Sequence, residues 1–389
     1  MFSRRTPGSL DPNRLTAALT ARRRAGAPVL DLTESNPTRA GLPRPADLLA
    51  PLADASALVY EPEPRGLGAA REAVAADYAR RGIDVPSDRI LLTASTSEAY
   101  AFLFKLLCEA GDGVLVPRPS YPLFELLARL EAVEVAPYPL GYDGEWHLPI
   151  SAVEHALTPR TRAVVVVSPN NPTGSYLKRD EGDALQELCA REGLALVSDE
   201  VFADYAFGPD PRRLSSVATD GPALSFALGG LSKSCGLPQL KLGWVAVSGP
   251  RSLREEAMAR LEIVADTFLS VGTPVQLAAP SLLGRLPELQ GPIAARVEEN
   301  LTRLADGFGP ASKATLLRPE GGWSAVLRVP STIPEEELVL RLLEDRGVLV
   351  YPGYFFDFPE EAFLVLSLLP APEVFAHGLR ALQEEVGVL

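Results

Sequence analysis

The sequence contains little lysine, cysteine or histidine, and each shortage limits what the chain can be. Only five of its 37 basic residues are lysine, so the other 32 are arginine. The three cysteines lie far apart and are odd in number, which argues against a disulfide framework and indicates free thiols in a reducing cytoplasm. The three histidines lack the spacing of metal ligands, which argues against structural zinc, and we expect no metal site.

The sequence also lacks long apolar runs and any excess of positive charge. No window holds 18 uncharged apolar residues, so we expect no membrane span. The net charge of −13 argues against nucleic acid or an anionic membrane as a partner. The first residues contain the Ser-Arg-Arg that opens a twin-arginine export signal, but Pro7, Asp11 and Arg14 interrupt the apolar stretch that should follow. We therefore predict a cytoplasmic protein.

Apolar runs alternate with helical patterns over most of the chain. The four valines at 164–167 are typical of a strand buried on both faces. Short β-branched runs separated by helices predict an α/β fold with a mostly parallel sheet flanked by helices. After residue 250 the pattern becomes mixed. We predict a large domain over 45–280 and a smaller α+β domain built from 1–44 and 281–389.

Polar residues follow several of the predicted strands. In open α/β sheets, ligands bind beyond the carboxyl ends of the strands, so these residues should meet at one edge of the sheet. A simpler interpretation exists for "TASTSEAY", in which Ser95 or Thr96 only caps a helix and Glu98 completes a capping box. The strand-end residues are Ser95, Thr96, Ser97, Tyr121, the run 170–174, Asp199, Ser232 and Lys233.

Lys233 is the residue in this set whose type is least expected. Arginine stays protonated, whereas a lysine with a lowered pKa becomes a neutral amine that attacks a carbonyl carbon. A chain that otherwise uses arginine therefore has a chemical reason to place lysine here, although an exposed surface lysine is the alternative interpretation.

The ordered motifs resemble those of a known family. Asn-Pro-Thr-Gly follows the valine-rich strand, Asp-Glu closes the next strand, and Ser-Lys follows a third. This order resembles the fold-type I pyridoxal phosphate enzymes, and within them the class I/II aminotransferases. The resemblance extends from "SNPT" through "YEPEPRGL" to "YPG" at 351–353.

The resemblance implies pyridoxal 5′-phosphate as cofactor and assigns a role to each residue of the motifs. Lys233 would bind the cofactor aldehyde as an imine and later move a proton between the substrate α-carbon and the cofactor. Asp199 would pair with the pyridine nitrogen and keep it protonated. Asn171 would donate to the phenolic oxygen, and Tyr121 would stack on the ring.

The resemblance also implies phosphate contacts and a homodimer. Tyr60 would reach across the dimer interface to the phosphate of the other subunit. On the substrate side, the entry segment offers Asn36 and Arg39. The expected phosphate ligands within the chain are Ser95, Thr96, Ser97, Ser232 and Lys241.

Three departures from the family pattern concern the cofactor. Phe202 stands where many relatives have a tyrosine that bonds the phenolic oxygen, which leaves Asn171 alone unless Tyr205 or water substitutes. Gly230 replaces the first serine of Ser-x-Ser-Lys. Lys241 replaces an arginine and keeps its charge without the bidentate fork.

A fourth departure concerns the substrate. Val365 occupies the position of the arginine that clamps the substrate carboxylate in α-amino acid aminotransferases, and valine cannot replace it. Arg39 is our candidate replacement, although an exposed loop arginine is an equal interpretation, and Arg328 is a weaker candidate. The sequence also offers an apolar lining that favours a hydrophobic or aromatic substrate, or simply forms core: Trp323, Tyr354, Phe355 and Phe356.

We therefore predict an aminotransferase that transfers an amino group between an amino acid or related small amine and a 2-oxo acid. A lyase or decarboxylase with the same cofactor is the alternative, because the same carbanion serves those reactions. A regulator that binds the cofactor without catalysis is a remote alternative, since such regulators carry a DNA-binding segment for which this acidic chain has no room.

Overall fold

The computed structural model describes residues 2–389, and the chain alternates between helices and strands throughout. The helices are α1 (Arg14–Arg24), α2 (Gly68–Arg80), α3 (Thr96–Leu107), α4 (Phe124–Leu130), α5 (Ile150–Ala156), α6 (Arg179–Glu192), α7 (Leu231–Ser234), α8 (Arg251–Phe268), α9 (Thr273–Gly284), α10 (Leu286–Gly307), α11 (Glu335–Arg346) and α12 (Pro372–Val388). The strands are β1 (Leu30–Asp31), β2 (Ile90–Thr93), β3 (Gly113–Arg118), β4 (Glu134–Pro139), β5 (Gly141–Tyr142), β6 (Trp146–His147), β7 (Thr161–Val167), β8 (Ala195–Asp199), β9 (Ser225–Gly230), β10 (Gly243–Ser248), β11 (Thr315–Leu317), β12 (Ser324–Arg328), β13 (Val348–Leu349), β14 (Tyr351–Pro352) and β15 (Phe363–Ser367).

A seven-stranded sheet forms the centre of the fold, in the order β2-β10-β9-β8-β7-β3-β4. Only β10 runs antiparallel to its neighbours. Val164 and Val165 of β7 are both fully buried, and they belong to hydrophobic cores on opposite faces of the sheet. Burial on both faces explains the unbroken valine run, and the predicted fold class is confirmed.

A second, antiparallel sheet has the order β11-β12-β15-β14 and its own hydrophobic core. The amino-terminal β1 pairs with β13, so the beginning of the chain lies beside its last third. The boundaries at residues 45 and 280 remain a prediction. None of the helices in residues 2–389 is long and apolar enough to cross a membrane.

The strand directions bring the predicted residues to one edge of the central sheet. Strands β7, β8 and β9 are parallel. Strand β2 runs in the same direction, because β2 and β9 each pair antiparallel with β10. Their carboxyl ends lead into the loop at 170–174, into Asp199, into Lys233 on α7 and into Ser95 before α3. This edge is where the topology places a ligand site.

Candidate active site

Asp199 is a buried carboxylate fixed from two sides. It ends β8 and is 8% exposed. The backbone N–H of Val201 donates to Oδ1 at 3.2 Å, and the hydroxyl of Tyr100 donates to Oδ2 at 3.3 Å. Burial raises the pKa of Asp199 to about 6, because the charged form loses its hydration, and the two hydrogen bonds offset part of that rise. The side chain is thus ready for a cationic partner.

Lys233 is half-buried, and its amine lies against two aromatic rings. Its Nζ lies 5.2 Å from the ring centre of Phe202 and 5.0 Å from that of Trp323. Burial lowers the pKa of Lys233 to about 8, while the charge of Asp199 acts in the opposite direction. Within residues 2–389 the amine forms no ion pair, and its lowered pKa makes the neutral form accessible slightly above neutral pH.

The two adjacent asparagines of the loop after β7 have different surroundings. Asn170 is 3% exposed, and its amide group donates to the Pro119 carbonyl at 2.9 Å and to Thr173 Oγ1 at 3.1 Å. Asn171 only accepts, from the hydroxyl of Ser324 at 3.2 Å. Its own N–H groups have no protein acceptor in the part of the chain that the structure describes. Asn171 is therefore the asparagine that can donate to a ligand.

The first turn of α3 offers donors for an anion. Ser95 is the N-cap and accepts from the N–H of Glu98 at 3.1 Å, while a Glu98 oxygen accepts from Ala94 N–H at 2.6 Å. The helix-capping interpretation is therefore realised at Ser95. The backbone N–H groups of Thr96 and Ser97 keep no protein acceptor within residues 2–389, and the helix dipole favours negative charge there.

Three other predicted cofactor contacts lie near this edge of the sheet and differ in how exposed they are. Ser232 is half-buried beside Lys233 on α7. Tyr121 is 38% exposed, packs edge-to-face on Phe124, and has a pKa raised by burial and by the charge of Asp199. Lys241 is exposed after β9, in a left-handed conformation with φ of 55°.

Lys233, Asn36 and Arg39 line one cleft of about 520 Å³. The Asn36 side-chain oxygen accepts from the N–H and hydroxyl of Thr38, which leaves its amide N–H groups for a ligand. Arg39 is exposed and has no carboxylate partner in the described chain, whereas Arg23 of the same cleft lies 3.6 Å from an Asp31 oxygen. Arg39 is thus an uncommitted guanidinium in the cleft that contains the lysine.

Val365 contributes no polar group to the site. It is 2% exposed and packs in an apolar cluster with Trp146, Phe356 and Phe358. Arg328 is exposed at the end of β12 and is not among the residues that line the cleft.

Neither Tyr60 nor Tyr205 lines the cleft of Lys233, Asn36 and Arg39. Tyr60 is 72% exposed and lines a separate pocket with Leu92 and Leu269. Tyr205 does not replace the hydroxyl missing at Phe202, because its own hydroxyl donates to the backbone carbonyl of Lys233 at 2.8 Å.

Sequence reasoning missed two residues that support the site. Tyr100 holds Asp199, but an aromatic residue inside an apolar helix reads as core. Glu320 forms a buried ion pair with Lys178, which joins the loop after β7 to the segment before β12. The scarcity of lysine was a signal that could have identified Lys178.

Comparisons with known proteins found relatives by sequence and by structure. A sequence model of the family described as "Aminotransferase class I and II" matches residues 27–374. The chain is 25% identical to glutamate-pyruvate aminotransferase AlaA of Escherichia coli (strain K12), over 88% of this chain and 87% of that one. It is 31% identical to arginine–pyruvate transaminase AruH of Pseudomonas aeruginosa, over 81% and 79% respectively.

Among solved structures, an aminotransferase from Escherichia coli superposes with a TM-score of 0.87 at 22% identity, covering all of this chain and 98% of that one. Alanine aminotransferase from Pyrococcus furiosus gives a TM-score of 0.86 at 22% identity over 96% of both chains. These superpositions establish the fold.

Proposed function

This chain belongs to the class I and II aminotransferase family and is an aminotransferase, and we propose that it works with pyridoxal 5′-phosphate bound covalently to Lys233. The substrates in this proposal are an amino acid or related small amine and a 2-oxo acid. The observation that carries the proposal is a half-buried lysine amine, packed against two aromatic rings, at the same edge of the sheet as a buried carboxylate.

The residues present fit the chemical groups of this cofactor. Asp199 offers a carboxylate to a ring nitrogen, and Asn171 has unused N–H groups for a phenolic oxygen. The first turn of α3 offers backbone N–H groups to a phosphate. When bound, the cofactor would supply an aldehyde for imine formation and a ring that withdraws electrons from the substrate α-carbon.

The chain's own residues would divide the remaining work. Lys233 Nζ would receive the proton that leaves the substrate α-carbon, because its lowered pKa makes the neutral amine available as a base. Tyr121 would hold the exposed face of the ring. Phe202 and Trp323, which pack edge-to-face at 5.2 Å, would keep water away from the amine.

Arg39 is the proposed anchor for the substrate carboxylate. It lines the same cleft as Lys233 without an ion-pair partner within residues 2–389. A planar guanidinium binds a carboxylate through two parallel hydrogen bonds, which is the function that Val365 cannot supply. Asn36 would add amide donors on the same wall. The names of the two relatives reported above make pyruvate the first acceptor to test.

The proposal includes a homodimer in the cytoplasm. Leu58 is 90% exposed and Tyr60 is 72% exposed, and the pocket beside Tyr60 joins this segment to the end of α8. Ile263 and Phe268 of that helix are also exposed, and apolar surface of this kind favours a second copy. In a dimer, Tyr60 would serve the partner's phosphate site. The free thiols of Cys108, Cys189 and Cys235 support a reducing compartment.

The decisive experiment tests the covalent link. The purified parent protein, supplied with pyridoxal 5′-phosphate, is expected to show the visible absorbance of an imine that borohydride fixes to Lys233. Lys233→Ala should show neither, whereas Lys313→Ala, at an exposed lysine, should match the parent. A colourless parent protein would refute the proposal.

A second measurement tests the reaction. Amino donors with and without a carboxylate are incubated with the holoenzyme, and conversion to the aminated cofactor is followed before pyruvate is added. Alanine formed from pyruvate supports transamination. Carbon dioxide or ammonia released in place of half-transamination would instead identify a decarboxylase or a lyase.

A further inference from the structure

We propose that Tyr100 is a positioning residue for Asp199, whose hydroxyl holds Oδ2 so that the carboxylate stays ionised and directed at the ring nitrogen. This inference rests on the proposed function and adds a residue that the family motifs do not contain. Tyr100 lies on α3, and its hydroxyl has Asp199 as its one hydrogen-bond partner in the described chain.

The Tyr100 ring is held in place by its neighbours. It is 2% exposed, packs edge-to-face on Phe124 at a centroid distance of 5.3 Å, and lies 6.0 Å from the Phe104 ring. A ring fixed in this way delivers its hydroxyl to one place. The 3.3 Å contact therefore joins this fixed ring on α3 to Oδ2 at the end of β8, and little conformational entropy is lost in forming it.

The two donors restrict the carboxylate in complementary ways. Val201 N–H bonds Oδ1 from the residue after next, and Tyr100 bonds Oδ2 from another element. Together they fix the plane of the carboxylate. Each oxygen has further acceptor capacity, so one of them can still accept a pyridinium N–H. A carboxylate held in position before the ligand arrives loses less orientational freedom on binding.

The electrostatic surroundings explain why a donor is needed there. The titratable groups around Asp199 are Tyr100, Tyr121, Glu200 and Lys233, of which Glu200 opposes its ionisation and Lys233 favours it. Burial alone pushes the pKa of Asp199 upward. A hydrogen bond donated to the charged form counteracts burial, so removing the Tyr100 hydroxyl leaves more of the carboxyl group protonated near neutral pH.

A purely structural role for Tyr100 makes a different prediction. The chain has a matched case in Tyr138, which is fully buried and donates its hydroxyl to the Val165 backbone carbonyl at 2.7 Å. Loss of either hydroxyl removes one buried hydrogen bond, so both variants should lose some folding stability. Of the two tyrosines, only Tyr100 contacts the Asp199 carboxylate. Only loss of the Tyr100 hydroxyl should therefore weaken the interaction between the protein and the ring nitrogen.

The test compares Tyr100→Phe with Tyr138→Phe as apoproteins reconstituted with two ligands. One ligand is pyridoxal 5′-phosphate, and the other is its 1-deaza analogue, in which carbon replaces the ring nitrogen. We expect Tyr100→Phe to weaken binding of pyridoxal 5′-phosphate about tenfold, as for loss of a hydrogen bond to a charged group, and to change binding of the analogue by less than about twofold. Tyr138→Phe should change both affinities equally.

A second arm uses the Asp199→Asn background. Because the hydroxyl acts through the carboxylate, Tyr100→Phe should have little further effect on pyridoxal phosphate affinity there, and the two changes should be non-additive. The inference would be overturned if Tyr100→Phe lost equal affinity for both ligands. It would also be overturned if the effects of Tyr100→Phe and Asp199→Asn on affinity were fully additive. These results would leave the proposed function intact, whereas failure of the parent protein to bind pyridoxal phosphate would overturn both.

Discussion

The buried ion pair between Lys178 and Glu320 allows a quantitative prediction. The two side chains are only 7% and 5% exposed. Glu320 also accepts from the N–H of Tyr176 at 2.9 Å, and its own N–H donates to the Gly174 carbonyl at 3.1 Å. The pair therefore ties the end of the loop that carries Asn171 to the segment before β12.

Breaking the pair from one side leaves an uncompensated charge in a dry environment. Lys178→Met keeps the length of the side chain and removes the charge, while Glu320→Gln keeps an acceptor for the Tyr176 N–H. Loss of one partner of a buried pair costs about 3–5 kcal/mol of unfolding free energy. With an unfolding entropy of about 2 cal/mol/K per residue, a chain of this length should lose about 4–6 °C in Tm for either variant.

The double variant Lys178→Met/Glu320→Gln is the informative comparison. It leaves no unpaired charge, so its loss should be clearly smaller than the sum of the two single losses. Thermal denaturation followed by circular dichroism measures all three, with Lys313→Met at an exposed lysine as the control, expected within about 0.5 kcal/mol of the parent. Strict additivity, or an unchanged Tm in Lys178→Met, would refute the reasoning.

Three further predictions concern the site. Arg39→Ala should raise KM for amino acid donors about tenfold or more, as loss of a bidentate ion pair implies, and should leave KM for amines without a carboxylate unchanged; equal effects on both in steady-state assays would exclude Arg39 as the anchor. Phe202→Tyr should lower the pH at which the imine absorbance titrates, because a new hydroxyl donates to the phenolic oxygen, and an unchanged titration would contradict this role. Without cofactor, the free energy of unfolding should rise between about pH 8 and about pH 10.5. The reason is that Lys233 loses its proton near pH 8 in the folded chain but only near pH 10.5 in the unfolded chain. Denaturant titrations should show this rise in the parent protein and a smaller rise in Lys233→Met.

The sheet and its ligand edge could be predicted because both follow from short-range patterns. Alternating β-branched runs and helices specify parallel strands, and parallel strands end at one edge. Asp199 and Lys233 therefore came together from their positions at strand ends alone. The neighbours of each side chain come from distant segments, and no local pattern records them. For this reason the sequence predicts only a core aromatic residue at Tyr100, although its hydroxyl contacts Asp199, 99 positions away.

The loop after β7 shows the same limit for two neighbouring residues of the same type. Asn170 and Asn171 are chemically identical, and the resemblance alone assigned the ligand role to the second. In the fold, the first is occupied by hydrogen bonds to Pro119 and Thr173, and the second is held only through its oxygen by Ser324. The contact with Ser324 also orients the Asn171 amide, because an oxygen fixed as acceptor places the N–H groups on the opposite side. The orientation that would allow its proposed donor role is therefore set by a residue 153 positions away.

The same principle applies to the lysines. A shortage of lysine suggests that the few present have special tasks, and two of the five, Lys178 and Lys233, lie beside the site. Their surroundings differ, because Lys178 forms a buried ion pair with Glu320 whereas the amine of Lys233 lies near the rings of Phe202 and Trp323. For Lys233, burial lowers the pKa to about 8, because the charged form loses part of its hydration. Residue type thus narrows the candidates for the proposed nucleophile, but the partners of each lysine, which only the fold reveals, separate Lys178 from Lys233.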